Sequence, residues 1–195
     1  MANIIVAISG GIAAYKACDL ISGLKANQHD VRVIMTDHAK EFITELTLAT
    51  LSQHPVMSNM FAERQGKVDH IEVAKWANIF IVYPATANII AKFANGIADD
   101  LVSTVFLALP YNKVLRFICP SMNTEMLLNP IVQENLEKLN KMYPELDRQN
   151  KNCCEIGCLE VINPIDGKLA CGDTGKGKIE SPRKVVDKIE DILRS

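Results

Sequence analysis

Asn3-Ile4-Ile5-Val6-Ala7-Ile8-Ser9-Gly10-Gly11-Ile12-Ala13-Ala14 opens the chain. Asn3 to Ile8 is a short, β-branched apolar run of the kind a strand buried on both faces requires, and Ser9-Gly10-Gly11 ends it. Residues 12 to 26 then read as a helix, with Ile12, Ala13, Tyr15, Lys16, Leu20 and Leu24 offering an apolar face between polar positions. A helix that starts directly after a glycine turn aims free N–H groups and the positive end of its dipole at the turn, which suits a phosphate. An ordinary strand-to-helix turn has the same appearance, so the motif alone leaves both readings open.

The same unit recurs along the chain. Val31 to Met35, Ile79 to Tyr83 and Val114 to Ile118 are further buried-type strands, and helical stretches follow over about 40–52, 86–95, 98–109, 131–141 and 182–193. Alternating strands and helices predict an α/β fold, a parallel sheet wound on both faces with right-handed crossovers, in a single domain over 1–195. Each strand ends in polar or turn-forming residues: Ser9-Gly10-Gly11, Thr36-Asp37, Pro84-Ala85-Thr86-Ala87-Asn88 and Pro120-Ser121-Met122-Asn123. That edge of an open parallel sheet is where ligands bind, so these groups are expected to converge. Asp37 invites a nicotinamide-cofactor reading, but the Gly-x-Gly-x-x-Gly spacing is absent. Residues 144–177 read as mostly irregular.

At 195 residues and 48% hydrophobic content the chain buries a full core without staples. A net charge of −2 with scattered Lys and Arg excludes a nucleic-acid field. No apolar run reaches the roughly 18 residues of a membrane span. Met1 leads into the first strand with no basic leader segment. A cytoplasmic chain is therefore expected, with Cys18, Cys119, Cys153, Cys154, Cys158 and Cys171 reduced. Cys153, Cys154 and Cys158 are spaced for a thiolate metal site, but no histidine follows His70 to complete one, and no metal is expected.

Near the C-terminus, Gly167-Lys168-Leu169-Ala170-Cys171-Gly172-Asp173-Thr174-Gly175-Lys176-Gly177 sets one cysteine in a loop with four glycines. Such a loop folds closely onto something. A lid carrying a reactive thiol fits this pattern, and so does a surface hairpin with a packed cysteine.

Taken in order, Ser9-Gly10-Gly11-Ile12-Ala13-Ala14-Tyr15, His70, Pro84-Ala85-Thr86-Ala87-Asn88, Asn95-Gly96-Ile97-Ala98-Asp99-Asp100-Leu101, Pro120-Ser121-Met122-Asn123 and Ala170-Cys171-Gly172 resemble the flavin-dependent cysteine decarboxylases over nearly the whole chain. The resemblance implies a Rossmann-like, flavodoxin-type flavoprotein, FMN as cofactor, and a homo-oligomer, trimer or dodecamer, with the active site between subunits. It implies that Ser9, Gly10, Gly11, Ile12 and Thr36 serve the FMN phosphate side. Phe42, Ala85, Thr86, Asn88 and Ser121 line the ribityl chain and ring. It makes His70 and Cys171 catalytic, Asn123 the contact to the substrate carboxylate, Lys75 the contact to a substrate phosphate, and about 144–177 the lid. Ser121 stands where the family commonly has alanine, and Leu127 lies where it commonly has an aromatic residue.

The implied activity is decarboxylation of 4'-phospho-N-pantothenoylcysteine to 4'-phosphopantetheine. An unmodified cysteine amide offers no electron sink for departing carbon dioxide, whereas oxidation of its thiol to a thioaldehyde creates one, and the resulting enethiol is then reduced to the thiol. Three alternatives share the fold. They are a peptidyl-cysteine decarboxylase of lantibiotic type, a flavin prenyltransferase that does not need Cys171, and a non-catalytic FMN-binding regulatory subunit.

Overall fold

The computed structural model describes residues 1–60, 69–143, 157–170 and 172–194. Five parallel strands form the central sheet: β1 (Asn3–Ile8), β2 (Asp30–Met35), β3 (Ile79–Ala85), β4 (Leu115–Pro120) and β5 (Leu159–Val161), in the order β2-β1-β3-β4-β5. This is the flavodoxin-type order, whose topological switch point lies between β1 and β3.

Strand alternation divides the core into two layers. Ile4, Val6, Ile8, Val33, Ile81 and Phe117 face α1 (Ala17–Ala26), α2 (Glu45–Ser52) and the C-terminal helix α8 (Pro182–Arg194). Ile5, Ala7, Ile34, Phe80, Val82 and Ile118 face the other layer. That layer contains α3 (Asp69–Trp76), α4 (Ala87–Asn95), α5 (Leu101–Ala108) and α7 (Pro130–Met142). A short helix α6 (Thr124–Leu128) precedes α7. With both faces covered, the strands need apolar residues at every position, which is why they read as continuous runs rather than alternating ones.

The predicted strands and helices are present, with three differences of detail. Ile12–Lys16 is a 3-10 turn and α1 begins at Ala17, so the helix after the glycine turn starts in its tighter form. The helix read over 40–52 divides into a 3-10 turn, Asp37–Glu41, and α2, capped by the Thr44 hydroxyl accepting from Thr47 N–H at 3.2 Å. The span read as irregular contains β5 and an antiparallel hairpin, β6 (Ile165–Lys168) and β7 (Thr174–Lys178). β5 is too short to show a period, and its extended form comes from pairing with Arg116 to Ile118 of β4.

Beneath β4, the buried Arg116 guanidinium donates to the carbonyls of Val114 at 2.7 Å, Pro110 at 3.2 Å, Tyr111 at 3.3 Å, Leu109 at 3.4 Å and Gly157 at 3.4 Å. It also lies over the Tyr143 ring. Burial lowers its pKa from the usual guanidinium value. This side chain closes the loop entering β4 and the turn entering β5 at the sheet edge opposite the strand C-termini.

Candidate active site

At the switch point the first two strand ends are tied together. Ser9, fully buried after β1, donates its hydroxyl to Pro84 O at 2.8 Å and accepts from Thr86 N–H at 3.1 Å. Gly10 follows, and a Cβ there would meet His38 Cβ at 2.5 Å and His38 C at 2.8 Å, so the turn after β2 sits directly on it. Gly11 has more room, its nearest neighbour being Thr86 Cγ2 at 3.6 Å. Thr86 caps α4 by accepting from Ile89 N–H at 3.4 Å, which leaves the first N–H groups of a nine-residue helix beside the glycine turn. On the β2 side, Thr36 N–H donates to Ile8 O at 3.0 Å. The Thr36 hydroxyl is buried and has no hydrogen-bond partner.

The end of β4 supplies the second wall. Ser121 N–H donates to Ala85 O at 3.0 Å, continuing the β3–β4 connection. Asn123 caps α6, its Oδ1 accepting from Glu125 N–H at 2.8 Å, so the helix fixes the sense of the amide. The hairpin docks on this segment by its backbone: Met122 N–H donates to Gly177 O at 3.2 Å, and a Cβ on Gly175 would stand 2.5 Å from Thr124 Oγ1.

Between the glycine turn, the β4 end and the hairpin lies a cavity of about 590 Å³. Gly10, Gly11, Ile12, Thr86, Ser121 and Asn123 line it, so it brings together six of the residues singled out in the sequence. Ser9 and Ala85 are buried, Phe42 is 44% exposed and Asn88 is exposed. These four and Thr36 are not among its lining residues. His70 and Lys75 lie on α3, which packs against α5, and neither lines the cavity. Cys171, Cys153 and Cys154 lie outside the described residues, but Ala170, the neighbour of Cys171, lines the cavity.

Part of the wall is formed by residues to which the sequence assigned no site role: Tyr15, Lys16, Met126 and Lys178 also line it. Burial, and then the charge of Lys178, lower the pKa of Lys16. The cavity is lined by three lysines, Lys16, Lys168 and Lys178, and the charges of the first and last oppose each other. Lys16 lies five residues past Gly11, at the end of the 3-10 segment that follows the glycine turn, a closeness in sequence that could have shown it.

Comparison with known proteins agrees with this geometry. Residues 1–194 match the family model described as Flavoprotein. The chain belongs to the flavoprotein family. This flavoprotein is 43% identical to the probable phosphopantothenoylcysteine decarboxylase of Streptococcus mutans serotype c, over 98% of each chain. It is 42% identical to the coenzyme A biosynthesis bifunctional protein CoaBC of Bacillus subtilis, covering 94% of its own length and 41% of that protein. Two solved structures, each 26% identical, share its fold. One is a PPC decarboxylase mutant complexed with pantothenoylaminoethenethiol, with a TM-score of 0.81 and coverage of 100% and 99% of the two chains. The other is the FMN binding protein AtHal3, at 0.76 and 97% and 95%.

A flavin fits the residues present. The orphaned Thr36 hydroxyl, the Gly10-Gly11 turn and the α4 N-terminus are donors suited to a phosphorylated chain, and the cavity beyond them is mostly apolar, as a ring system requires.

Proposed function

We propose that this flavoprotein binds FMN and decarboxylates 4'-phospho-N-pantothenoylcysteine to 4'-phosphopantetheine in coenzyme A biosynthesis. The observation that carries the reading is the cavity itself. Its glycine turn, α4 N-terminus and Asn123 wall, with the hairpin residue Ala170 that precedes Cys171 in the chain, support a reading in which flavin and cysteine substrate share one space. The 43% identity over nearly the full length of a probable phosphopantothenoylcysteine decarboxylase supports the same substrate.

Bound FMN would supply a reversible hydride acceptor, so that carbon dioxide could be lost without net redox change. On this reading Gly10, Gly11, Ile12 and Thr36 hold the phosphate side of the flavin, and Phe42, Ala85, Thr86, Asn88 and Ser121 border its chain and ring. Asn123, its oxygen engaged with Glu125 N–H, presents the NH₂ end of its amide to the substrate carboxylate without burying a countercharge. The substrate passes through a thioaldehyde, loses its carboxylate and leaves an enethiol. Cys171 then provides the proton that completes the thiol, a role within reach of a thiol near neutral pH.

Lys16, Lys168 and Lys178 give the cavity its positive wall, and a phosphate placed at Lys16 and Lys178 relieves their repulsion. They are the contacts for the substrate phosphate within one chain. His70 and Lys75, on α3 away from this cavity, act if a second copy presents its α3 to the site, in keeping with an oligomer whose active sites lie between subunits.

The test is incubation of the purified protein with phosphopantothenoylcysteine, following carbon dioxide release and product mass. Carbon dioxide with a product of phosphopantetheine mass is expected. Turnover of a peptide ending in cysteine, but not of this substrate, would replace the reading with the peptidyl one. Flavin binding with no turnover of either substrate would favour the regulatory subunit.

A further inference from the structure

We infer that Ser9 is a positioning residue: its hydroxyl straps the glycine turn after β1 to the α4 N-terminus and has no proton to offer a ligand. The inference rests on the flavin reading for its consequence, and on the hydrogen bonds for its cause. The β1–β3 ladder runs from Ile4↔Ile79 to Ala7↔Val82 and stops there. Beyond it, Pro84 has no N–H, and the pairing of β3 with β4 shifts register between Val82 and Ala85. The strands would separate at the point where their two turns must cooperate.

Ser9 replaces the missing rungs. Its backbone N–H reaches Pro84 O at 3.4 Å, its hydroxyl donates to the same carbonyl at 2.8 Å, and its oxygen accepts from Thr86 N–H at 3.1 Å. Thr86 Oγ1 stands 3.3 Å away, a longer alternative for the same proton. A serine hydroxyl has one proton, and Pro84 O at 2.8 Å is the nearest acceptor the chain offers it. With that proton on Pro84 O, and Ile89 N–H directed at Thr86 Oγ1, the proton of Thr86, which lines the cavity, remains available to a ligand. Ser9 thus sets the separation of two donor arrays, Gly10-Gly11 and the first turn of α4, that bear on different parts of one flavin.

A strap and a direct phosphate ligand predict different losses. In the flavin-free protein, fluorescence titration of Ser9→Ala is expected to show FMN weakened roughly ten- to hundred-fold, and riboflavin, which lacks the phosphate that the Gly10-Gly11 turn holds, weakened less. No change in either would leave Ser9 a packing residue and overturn the inference, while weakened FMN with the Thr86 amide still protected would make it a phosphate ligand and overturn it too. Ser9→Cys, with a weak donor at similar volume, should fall between wild type and alanine, and it takes the place of Ser9→Ala if that variant does not fold.

Amide exchange in the flavin-free protein tests the strap without any cofactor. The Thr86 amide is expected to lose protection in both variants, and unchanged protection would overturn the inference. A wild type that takes up neither flavin would overturn the flavin reading, while exchange at Thr86 would still decide the role of Ser9.

Discussion

Gly10 and Gly11 are adjacent and look interchangeable, yet only the first is enclosed. A methyl at Gly10 runs into the His38 backbone, whereas at Gly11, in extended backbone at φ −166°, it makes an ordinary contact with Thr86. Gly10→Ala is therefore expected to destabilise the flavin-free protein by about 1–3 kcal/mol, as overpacking does. At this chain length that lowers the melting temperature by roughly 2–4 °C per kcal/mol. Gly11→Ala should melt close to wild type, and differential scanning calorimetry of the two variants side by side distinguishes them. At Lys16 the prediction concerns pH. Its folded pKa lies below the ordinary 10.5, so the folded chain holds this proton less tightly than the unfolded one. The charged form opposes folding at pH below the lowered pKa, stability rises with pH through the window up to 10.5, and the penalty is gone above it. A phosphate acts in the opposite sense by favouring the ammonium. Affinity for the phosphorylated substrate should then weaken as pH rises through the lowered pKa, and Lys16→Gln should remove that alkaline limb from a plot of KM against pH.

The β6–β7 hairpin is held to the molecule by backbone contact rather than by an apolar core. Gly177, at φ +151°, has no space for a Cβ, which would collide with Met122 O. Gly177→Ala is expected to lift β7 from the segment bearing Asn123 while leaving the five-stranded sheet intact. Turnover should fall at least about ten-fold, equivalent to 1.4 kcal/mol in the barrier, with a much smaller proportional loss in denaturant midpoint. Equal losses in stability and turnover would instead make the hairpin part of the folding core. The element also explains why a loop rich in glycine was legible as something that folds onto a surface, although its strands were not. Thr174-Gly175-Lys176-Gly177-Lys178 has neither β propensity nor an apolar alternation, and its extended form comes from pairing and docking alone.

For the whole molecule, the position of α3 away from the cavity predicts a composite site. His70→Ala and Cys171→Ser should each be inactive alone, and co-expressed mixtures should regain activity because some sites then draw an intact residue from each chain. Mixtures as inactive as the parents would place both residues in one chain's site or remove one of them from the chemistry. The doubly wound sheet and the line of polar residues at its C-terminal edge were determined by the sequence itself. A strand buried on both faces must be a continuous apolar run, and a βα turn that serves an anion needs glycine at its bend, so both requirements are written into adjacent residues. What adjacency does not carry, only the tertiary structure decided. It placed Lys178 beside Lys16, seated the hairpin through Gly177 on Met122, and engaged the Ser9 proton with Pro84. It also enclosed Arg116 among the carbonyls of two loops. Each of these depends on groups distant in sequence arriving within a few ångströms of one another, and on whether a polar atom's capacity is already used when they do. That distance and that saturation are properties of packing, which no local pattern records.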